Sequence, residues 1–192
     1  MKLHIIRHGY TAATEKHLYC GKTDLPLSES GTREIRNLKI HGIYPGAEAF
    51  ITSGMQRAEM TLDLIYGSVP RTALSGFAEY DFGDFEMRSY EELKEIPEYI
   101  DWMLDETGEI SCPGGESRLG NSERVMDTFS TLLKNLEKSK PDAALICHGG
   151  TISVIMDNLF GGERNFYEWQ PSPGRGYTIT FEKDNSHTYQ TI

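Results

Sequence analysis

Apolar residues along the 192-residue chain alternate between short continuous runs and stretches with helical spacing. "KLHII", "AFIT" and "AALIC" are short apolar runs, and each predicts a buried β-strand. The terminal segments "GYTITF" and "HTYQTI" instead alternate between apolar and polar positions, which is typical of antiparallel strands at the edge of a sheet. The chain therefore contains at least five predicted strands.

Helical patterns separate these strands. Ser28 is a predicted N-cap, and the helix that follows carries Ile35 and Leu38 inward and ends near Gly42. "SGMQRAEMTLDLIYG" follows "AFIT" with its apolar residues on one face, and "ISVIMDNLF" follows "AALIC" in the same way. This order predicts an α/β fold, a three-layer α/β/α sandwich whose sheet is mostly parallel with an antiparallel edge.

Length and charge narrow the function classes. With no linker or break in composition, 192 residues predict a single domain over 1–192. Lys and Arg number 19 against 29 Asp and Glu, a net charge of −10, which disfavours nucleic acid or an anionic membrane as the partner. Without an apolar run of membrane or signal-peptide length, we expect a cytoplasmic protein whose three cysteines are reduced. The sequence predicts no oligomeric state.

Charged or polar residues and glycine follow three of the predicted strands. Arg7 and His8 end the first strand, Ser53 and then Arg57 follow "AFIT", and His148 follows "AALIC". Because open α/β sheets bind ligands beyond the carboxyl ends of their strands, we expect these side chains to meet at one edge. Two arginines, two histidines, free backbone amides and helix N-termini favour a phosphate group.

Spacing, side-chain direction or a missing glycine argues against four other interpretations of single motifs. On a strand, His4 and His8 lie about 13 Å apart, too far to share a zinc ion. Cys147 points to the opposite face from its neighbour His148, so we expect it in the core rather than as a nucleophile. The segment 21–23 resembles a phosphate-binding loop without its first glycine, and Ser117 lacks the second glycine of a nucleophile elbow.

Transfer of a phosphoryl group to histidine also requires an acid that protonates the leaving oxygen. "FAEYDFGDFEM" offers Glu79, Asp81, Asp84 and Glu86, and a carboxylate beside a phosphate dianion holds a proton more readily. The same carboxylates could instead form a magnesium site or a solvated loop. Because arginines already balance the phosphate charge, we rank metal binding lower and expect no metal or other cofactor.

Taken together, these motifs resemble the histidine phosphatase superfamily, the phosphoglycerate mutase-like proteins, whose mark is the triplet Arg7-His8-Gly9 after the first strand. The resemblance runs over nearly the whole chain. It includes, in the family's order, "RHGYT", "LPLSESG", "TSGMQRAEMT", "FAEYDFGDFEM", "PGGES" and "CHGG". Within the superfamily, "LYCGKTDLPLSESG" and "FGDFEMRSYEEL" most resemble the alpha-ribazole-5'-phosphate phosphatases of cobalamin nucleotide-loop assembly.

The resemblance implies a role for each residue at the strand ends. His8 would be the nucleophile that becomes phosphohistidine, Arg7, Arg57 and His148 would hold the phosphoryl oxygens, and Glu79 would donate the proton. His8 must then present an unprotonated nitrogen while an acceptor holds its other N–H. His148, by contrast, is expected to be cationic.

A second set of residues is expected to bind the substrate. Thr14 stands where the family often has asparagine, and it keeps a hydroxyl donor but loses the reach of the amide. The predicted substrate-binding residues are Thr14, Cys20, Gly21, Lys22, Thr23, Arg88 and Gly149. A small helical cap at about 87–124 is expected over the pocket. Phe85, Arg88, Tyr90 and Trp102 are candidates for contact with the leaving group, although packing of the cap is the better interpretation for Trp102.

The expected activity is hydrolysis of a small phosphomonoester, with alpha-ribazole 5'-phosphate as a candidate substrate. Two alternatives remain open, a phosphoglycerate mutase-type phosphotransferase and a non-catalytic module that binds a phosphate-bearing ligand. The compact chain favours the hydrolase, because the mutases it resembles usually carry larger insertions.

Overall fold

A single mixed sheet forms the centre of the molecule. The computed structural model describes residues 1–182, 184 and 186–192, and within them the sheet has six strands. The strands are β1 (Lys2–Arg7), β2 (Ala49–Thr52), β3 (Thr72–Ala73), β4 (Ala143–Cys147), β5 (Gly176–Phe181) and β6 (His187–Thr191). Their spatial order is β3-β2-β4-β1-β5-β6; the first four are parallel, while β5 is antiparallel to both β1 and β6.

Helices connect the strands. Within the same residues they are α1 (Ala12–Glu15), α2 (Glu29–Ile40), α3 (Gln56–Tyr66), α4 (Tyr90–Leu93), α5 (Pro97–Leu104), α6 (Arg118–Leu136) and α7 (Gly149–Phe160). Short 3-10 turns cover Ser75–Phe77, Gly83–Phe85 and Phe166–Trp169. Ser28 caps α2 by accepting a hydrogen bond from the Gly31 amide, as its position before the helical repeat predicts.

The strands bury residues on both faces of the sheet. Leu3 and Ile5 of β1 pack with Phe129 of α6 in one hydrophobic cluster, whereas Ile6 faces the other way and packs with Ile35 of α2. Successive side chains of a strand point to opposite faces, so each parallel strand needs a helical layer on both sides. The predicted α/β/α sandwich with an antiparallel edge is therefore confirmed.

The segment predicted as a cap divides into two parts. α4 and α5 carry a separate cluster of buried aromatic residues that includes Tyr99 and Trp102. From Arg118 onward the chain instead forms α6, whose Val125 and Phe129 belong to the main core. The predicted boundary at residue 124 thus falls inside a 19-residue helix of the sandwich. In the described part of the chain, the helices are too short or too polar to span a membrane.

Candidate active site

The carboxyl ends of three neighbouring parallel strands bring the predicted side chains together. β2, β4 and β1 are adjacent, so Ser53, His148 and His8 follow their strands at the same edge of the sheet. The His8 amide donates to the Cys147 carbonyl at 3.0 Å, which places the residues after β1 and β4 side by side. The two imidazole rings meet edge to face with centroids 5.1 Å apart. The expected convergence at one edge is confirmed.

One nitrogen of His8 is committed to the backbone. Its Nδ1 lies 2.7 Å from the Gly9 carbonyl oxygen, and because a carbonyl only accepts, Nδ1 carries the hydrogen. The pKa of His8 lies well below its ordinary value, mainly because the ring is buried and secondly because Arg57 and Arg7 are positively charged. His8 is therefore neutral at neutral pH, and its Nε2 has a free lone pair.

His148 is also neutral, which corrects the expectation of a cation. Arg57 donates from Nε to His148 Nδ1 at 3.2 Å, and an imidazole nitrogen that accepts cannot carry a proton. Its Nε2 lies 2.8 Å from the Ser53 hydroxyl. Burial, followed by the charges of Arg57, His8 and Arg7, holds the pKa of His148 well below its ordinary value. The expectation of a cation did not include the positive charge of Arg57, which faces Nδ1 in the fold.

The guanidinium of Arg57 is almost completely buried and is held at three of its nitrogens. Besides the Nε contact to His148, Nη1 donates to the Thr23 carbonyl at 2.9 Å and Nη2 to the Gly21 carbonyl at 2.7 Å. A guanidinium has five N–H donors, so these bonds among the described residues leave two for a ligand, one on each terminal nitrogen. Such a pair suits the oxygens of a phosphate.

Arg7 is the second buried cation at this edge. Its Nη1 donates to the Pro171 carbonyl at 2.8 Å, while Nε is buried without a hydrogen-bond partner among the described residues. Burial lowers the pKa of Arg7, although an arginine stays charged at neutral pH. Two arginines close to two neutral histidines produce a local positive potential in a chain of net negative charge.

Glu79 holds its carboxylate against the start of α7. Oε2 accepts from the Gly150 amide at 2.9 Å, and Oε1 accepts from the Tyr80 amide at 3.0 Å. The carboxylate can lie this close to α7 because residue 150 is glycine. A Cβ at this position would lie only 2.5 Å from Oε1. These contacts fix the direction of the carboxyl group.

A cavity of about 690 Å³ connects these groups with the region around α5. Arg7, His8, Arg57 and Glu79 line it at the sheet edge. The aromatic residues of its wall are Tyr19, Tyr80, Phe82, Trp102, Phe166 and Tyr167. Volumes of this order accommodate a small organic ligand. Within the described residues, His, Cys, Asp and Glu side chains form no cluster of three or more that could hold a metal ion.

Comparison with known proteins agrees with this geometry. The sequence profile of the histidine phosphatase superfamily, branch 1, matches residues 3–189. The chain belongs to this superfamily. An adenosylcobalamin/alpha-ribazole phosphatase of Escherichia coli K12 is 29% identical over 167 residues, which cover 84% of this chain and 80% of the relative.

Solved structures share this fold over nearly the whole chain. The alpha-ribazole phosphatase from Shigella flexneri superposes with a TM-score of 0.85 at 24% identity and covers 100% of this chain and 96% of that one. A phosphoglycerate mutase from Thermus thermophilus gives a TM-score of 0.70 at 30% identity, with 98% and 96% covered. The phosphoglycerate mutase-like fold expected from the resemblance is therefore confirmed.

Of the predicted substrate-binding residues of this histidine phosphatase, the structure brings some to the cavity and not others. Thr14 and Cys20 line the cavity. Burial raises the pKa of the Cys20 thiol, so it is not a thiolate at neutral pH. Thr14 Oγ1 is 3.0 Å from Thr11 Oγ1 within the capping box of α1. Gly149 is not among the described residues that line the cavity, whereas its neighbour Gly150 is.

The remaining candidates lie outside the described lining of this cavity, although Lys22 lines a second cavity together with Glu79. Gly21, Lys22 and Thr23 are not among the described residues that line the cavity, and their amides bind the Glu86 carboxylate. Arg88 is also absent from the described lining, because it donates from Nη2 to the Glu92 carbonyl on its own segment. The predicted contact of Arg88 with a leaving group therefore has no support from the described lining and stays a prediction.

The aromatic candidates divide in the same way. Phe85 is buried in the aromatic cluster beneath α5, and Tyr90 is exposed; neither belongs to the described cavity lining. Trp102 lines the cavity but is 7% exposed and donates from Nε1 to the Tyr80 hydroxyl, so packing dominates its environment as expected.

Two further residues at this site were not assigned a role from the sequence. Ser53 follows β2 and contacts His148, and its position after a strand and next to glycine was the available signal. Arg118 lines the cavity from the first turn of α6, and its Nη2 lies 3.8 Å from Oδ2 of Asp105. The sequence offers no signal for Arg118, since it and Asp105 are well separated along the chain and meet only through the fold.

Proposed function

We propose that this protein hydrolyses phosphomonoesters through a phosphohistidine at His8. The observation that carries the proposal is the state of His8, a buried neutral imidazole whose Nδ1 hydrogen is held by the Gly9 carbonyl. A histidine attacks phosphorus only through an unprotonated nitrogen, and Nε2 meets this condition beside two arginines.

The proposed first step transfers the phosphoryl group to the protein. Nε2 of His8 attacks phosphorus in line, an N–P bond forms, and the bond from phosphorus to the ester oxygen breaks. The protonated carboxyl of Glu79 gives its proton to the departing oxygen, so an alcohol leaves. Arg7 and Arg57 stabilise the phosphoryl oxygens, which carry the charge of the transition state.

The proposed second step releases phosphate. Glu79, now a carboxylate, takes a proton from water while the water oxygen attacks phosphorus. The N–P bond breaks, inorganic phosphate leaves, and His8 returns to its neutral form. The two backbone N–H groups on Glu79 keep the carboxyl in one orientation through both steps.

The proposed substrate carries a bulky leaving group with rings. Aromatic walls favour ring systems, because stacking and edge contacts add to the burial of apolar area. The Escherichia coli relative is named for alpha-ribazole and adenosylcobalamin, so alpha-ribazole 5'-phosphate is the first compound to test. The phosphoglycerate mutase among the similar structures keeps phosphotransfer to a second alcohol as the other candidate.

A panel of phosphomonoesters tests the proposal, with wild-type protein and His8→Asn compared in the presence and absence of EDTA. We expect turnover by the wild type alone, unchanged by EDTA, with the phosphate released into water. Transfer of a labelled phosphate to a second alcohol would instead support the mutase. Absence of turnover over the whole panel would contradict both activities and support a binding module.

A further inference from the structure

The loop formed by residues 20–23 directs its backbone donors onto the carboxylate of Glu86. Gly21 N lies 3.0 Å from Oε1 and 3.1 Å from Oε2, Lys22 N lies 2.9 Å from Oε1, and Thr23 N lies 3.2 Å from Oε2. Successive amides that converge in this way form a concave site for an anion. In this protein the anion is a side chain of the chain itself, which explains the resemblance of the segment to a phosphate-binding loop.

The same loop directs its carbonyl groups onto Arg57. Gly21 O accepts from Nη2 at 2.7 Å and Thr23 O accepts from Nη1 at 2.9 Å. Gly21 and Thr23 therefore each bind Glu86 through the amide and Arg57 through the carbonyl. Because the plane of a guanidinium follows its acceptors, these two carbonyls set the direction of the remaining N–H groups of Arg57.

We infer that Glu86 is a positioning residue for Arg57, and this rests on the proposed function, in which Arg57 holds the phosphoryl oxygens. A bound carboxylate polarises the amides and strengthens the hydrogen bonds made by the carbonyls of the same loop. Without it, three amides lose their acceptor and the loop relaxes. The Arg57 donors then no longer match the phosphate.

The loop is also in close contact with the segment that precedes Glu86. A Cβ at Gly21 would lie 1.5 Å from the Tyr80 carbonyl oxygen, so the loop packs directly on that segment. The Phe82 amide also donates to Glu86 Oε1, at 3.2 Å. Since Glu86 is not among the described residues that line the cavity, it acts through the loop rather than as a proton donor.

The test compares Glu86→Gln with Glu95→Gln. The two substitutions are chemically identical and remove the same charge, but Glu95 is exposed on the segment between α4 and α5. The amide group of Gln has one acceptor oxygen and would point N–H groups at the N–H groups of the loop. We expect Glu86→Gln to weaken the binding of inorganic phosphate about 10- to 100-fold and to lower kcat/KM by a similar factor, as for a ligand group misplaced by about 1 Å. Glu95→Gln should match the wild type in both.

A double-mutant cycle with Arg57→Lys separates positioning from a general loss of structure. Lysine keeps the positive charge but has no planar guanidinium. The two loop carbonyls therefore cannot fix the direction of its N–H groups as they do for Arg57. If Glu86 acts through Arg57, Glu86→Gln should have little further effect on phosphate binding in the Arg57→Lys protein. Thermal unfolding of all four proteins shows which of them are folded at the assay temperature.

Each outcome decides between the two proposals. Equal phosphate affinity of the wild type and Glu86→Gln would overturn the positioning role, and so would losses that simply add in the cycle. Phosphate binding that follows our expectation in a wild type without any turnover would overturn the proposed function and leave the positioning role supported. A wild type that neither binds phosphate nor turns over any ester of the panel would overturn both.

Discussion

Replacing Gly150 with alanine should remove proton donation while leaving the fold intact. The added Cβ would lie 2.5 Å from Glu79 Oε1, whereas ordinary contacts begin at 3.4 Å, so the carboxyl must move by about 1 Å. The carboxyl ends a flexible side chain, so it can move without strain in α7. Alanine also has the higher helix propensity, so the backbone of α7 should not be destabilised.

The size of the effect follows from the proposed role of Glu79. General acid catalysis contributes about 10²- to 10⁴-fold, and a displacement of about 1 Å costs about 10²-fold. We therefore expect kcat on an alkyl phosphate to fall about 10²-fold. On p-nitrophenyl phosphate the fall should be much smaller, because that leaving group departs without a proton.

Steady-state rates on the two esters measure this difference directly. Gly46→Ala is the matched control, since a Cβ at Gly46 meets no atom within 4 Å and should leave both rates unchanged. An equal loss on both esters in Gly150→Ala would refute the assignment of Glu79 as the acid, because the damage would then be independent of the leaving group.

Three further predictions concern stability. The pKa values of His8 and His148 in the folded protein lie below the unfolded value of about 6.5, so the unfolded chain binds more protons. The free energy of unfolding should therefore fall as the pH drops below about 6.5. Urea midpoints that stay constant from about pH 7.5 to 5.5 would contradict this. Ser53→Ala leaves the buried Nε2–H of His148 without its acceptor and should cost about 1–3 kcal/mol in urea unfolding, with no change counting against the neutral tautomer. Phe129→Ala in the main core should cost about 3–5 kcal/mol, whereas Leu104→Ala at a 74% exposed position should change stability by less than about 0.5 kcal/mol.

The sheet and the convergence of the site could be predicted from the sequence because both depend on local patterns. Apolar runs locate β1, β2 and β4, and the polar residues after them meet because parallel strands end at one edge. The two-residue strand β3 is too short to carry a pattern. Val125, Phe129 and Leu132 repeat at helical spacing, so α6 was predictable. The predicted cap boundary at residue 124 did not take this repeat into account.

Side-chain environments could not be predicted in the same way. Glu86 was one of four acid candidates. Its carboxylate binds the amides of residues 21–23, which lie about 65 residues away along the chain. Because every residue but proline has such an amide, the sequence does not show which ones Glu86 will bind. The charge of His148 depends on which nitrogen faces Arg57, a detail of geometry rather than of composition. Arg88 has the residue type of a substrate-binding group, but its direction is set by a local carbonyl.

Trapping the phosphorylated protein tests the central claim most directly. Wild-type protein and His8→Ala are mixed with a labelled phosphomonoester, quenched within the first turnover and examined for phosphate bound to histidine by peptide mass spectrometry. We predict acid-labile phosphate on His8 in the wild type and none in the variant. Equal labelling of His8→Ala, or turnover without any phosphate on His8, would contradict the account.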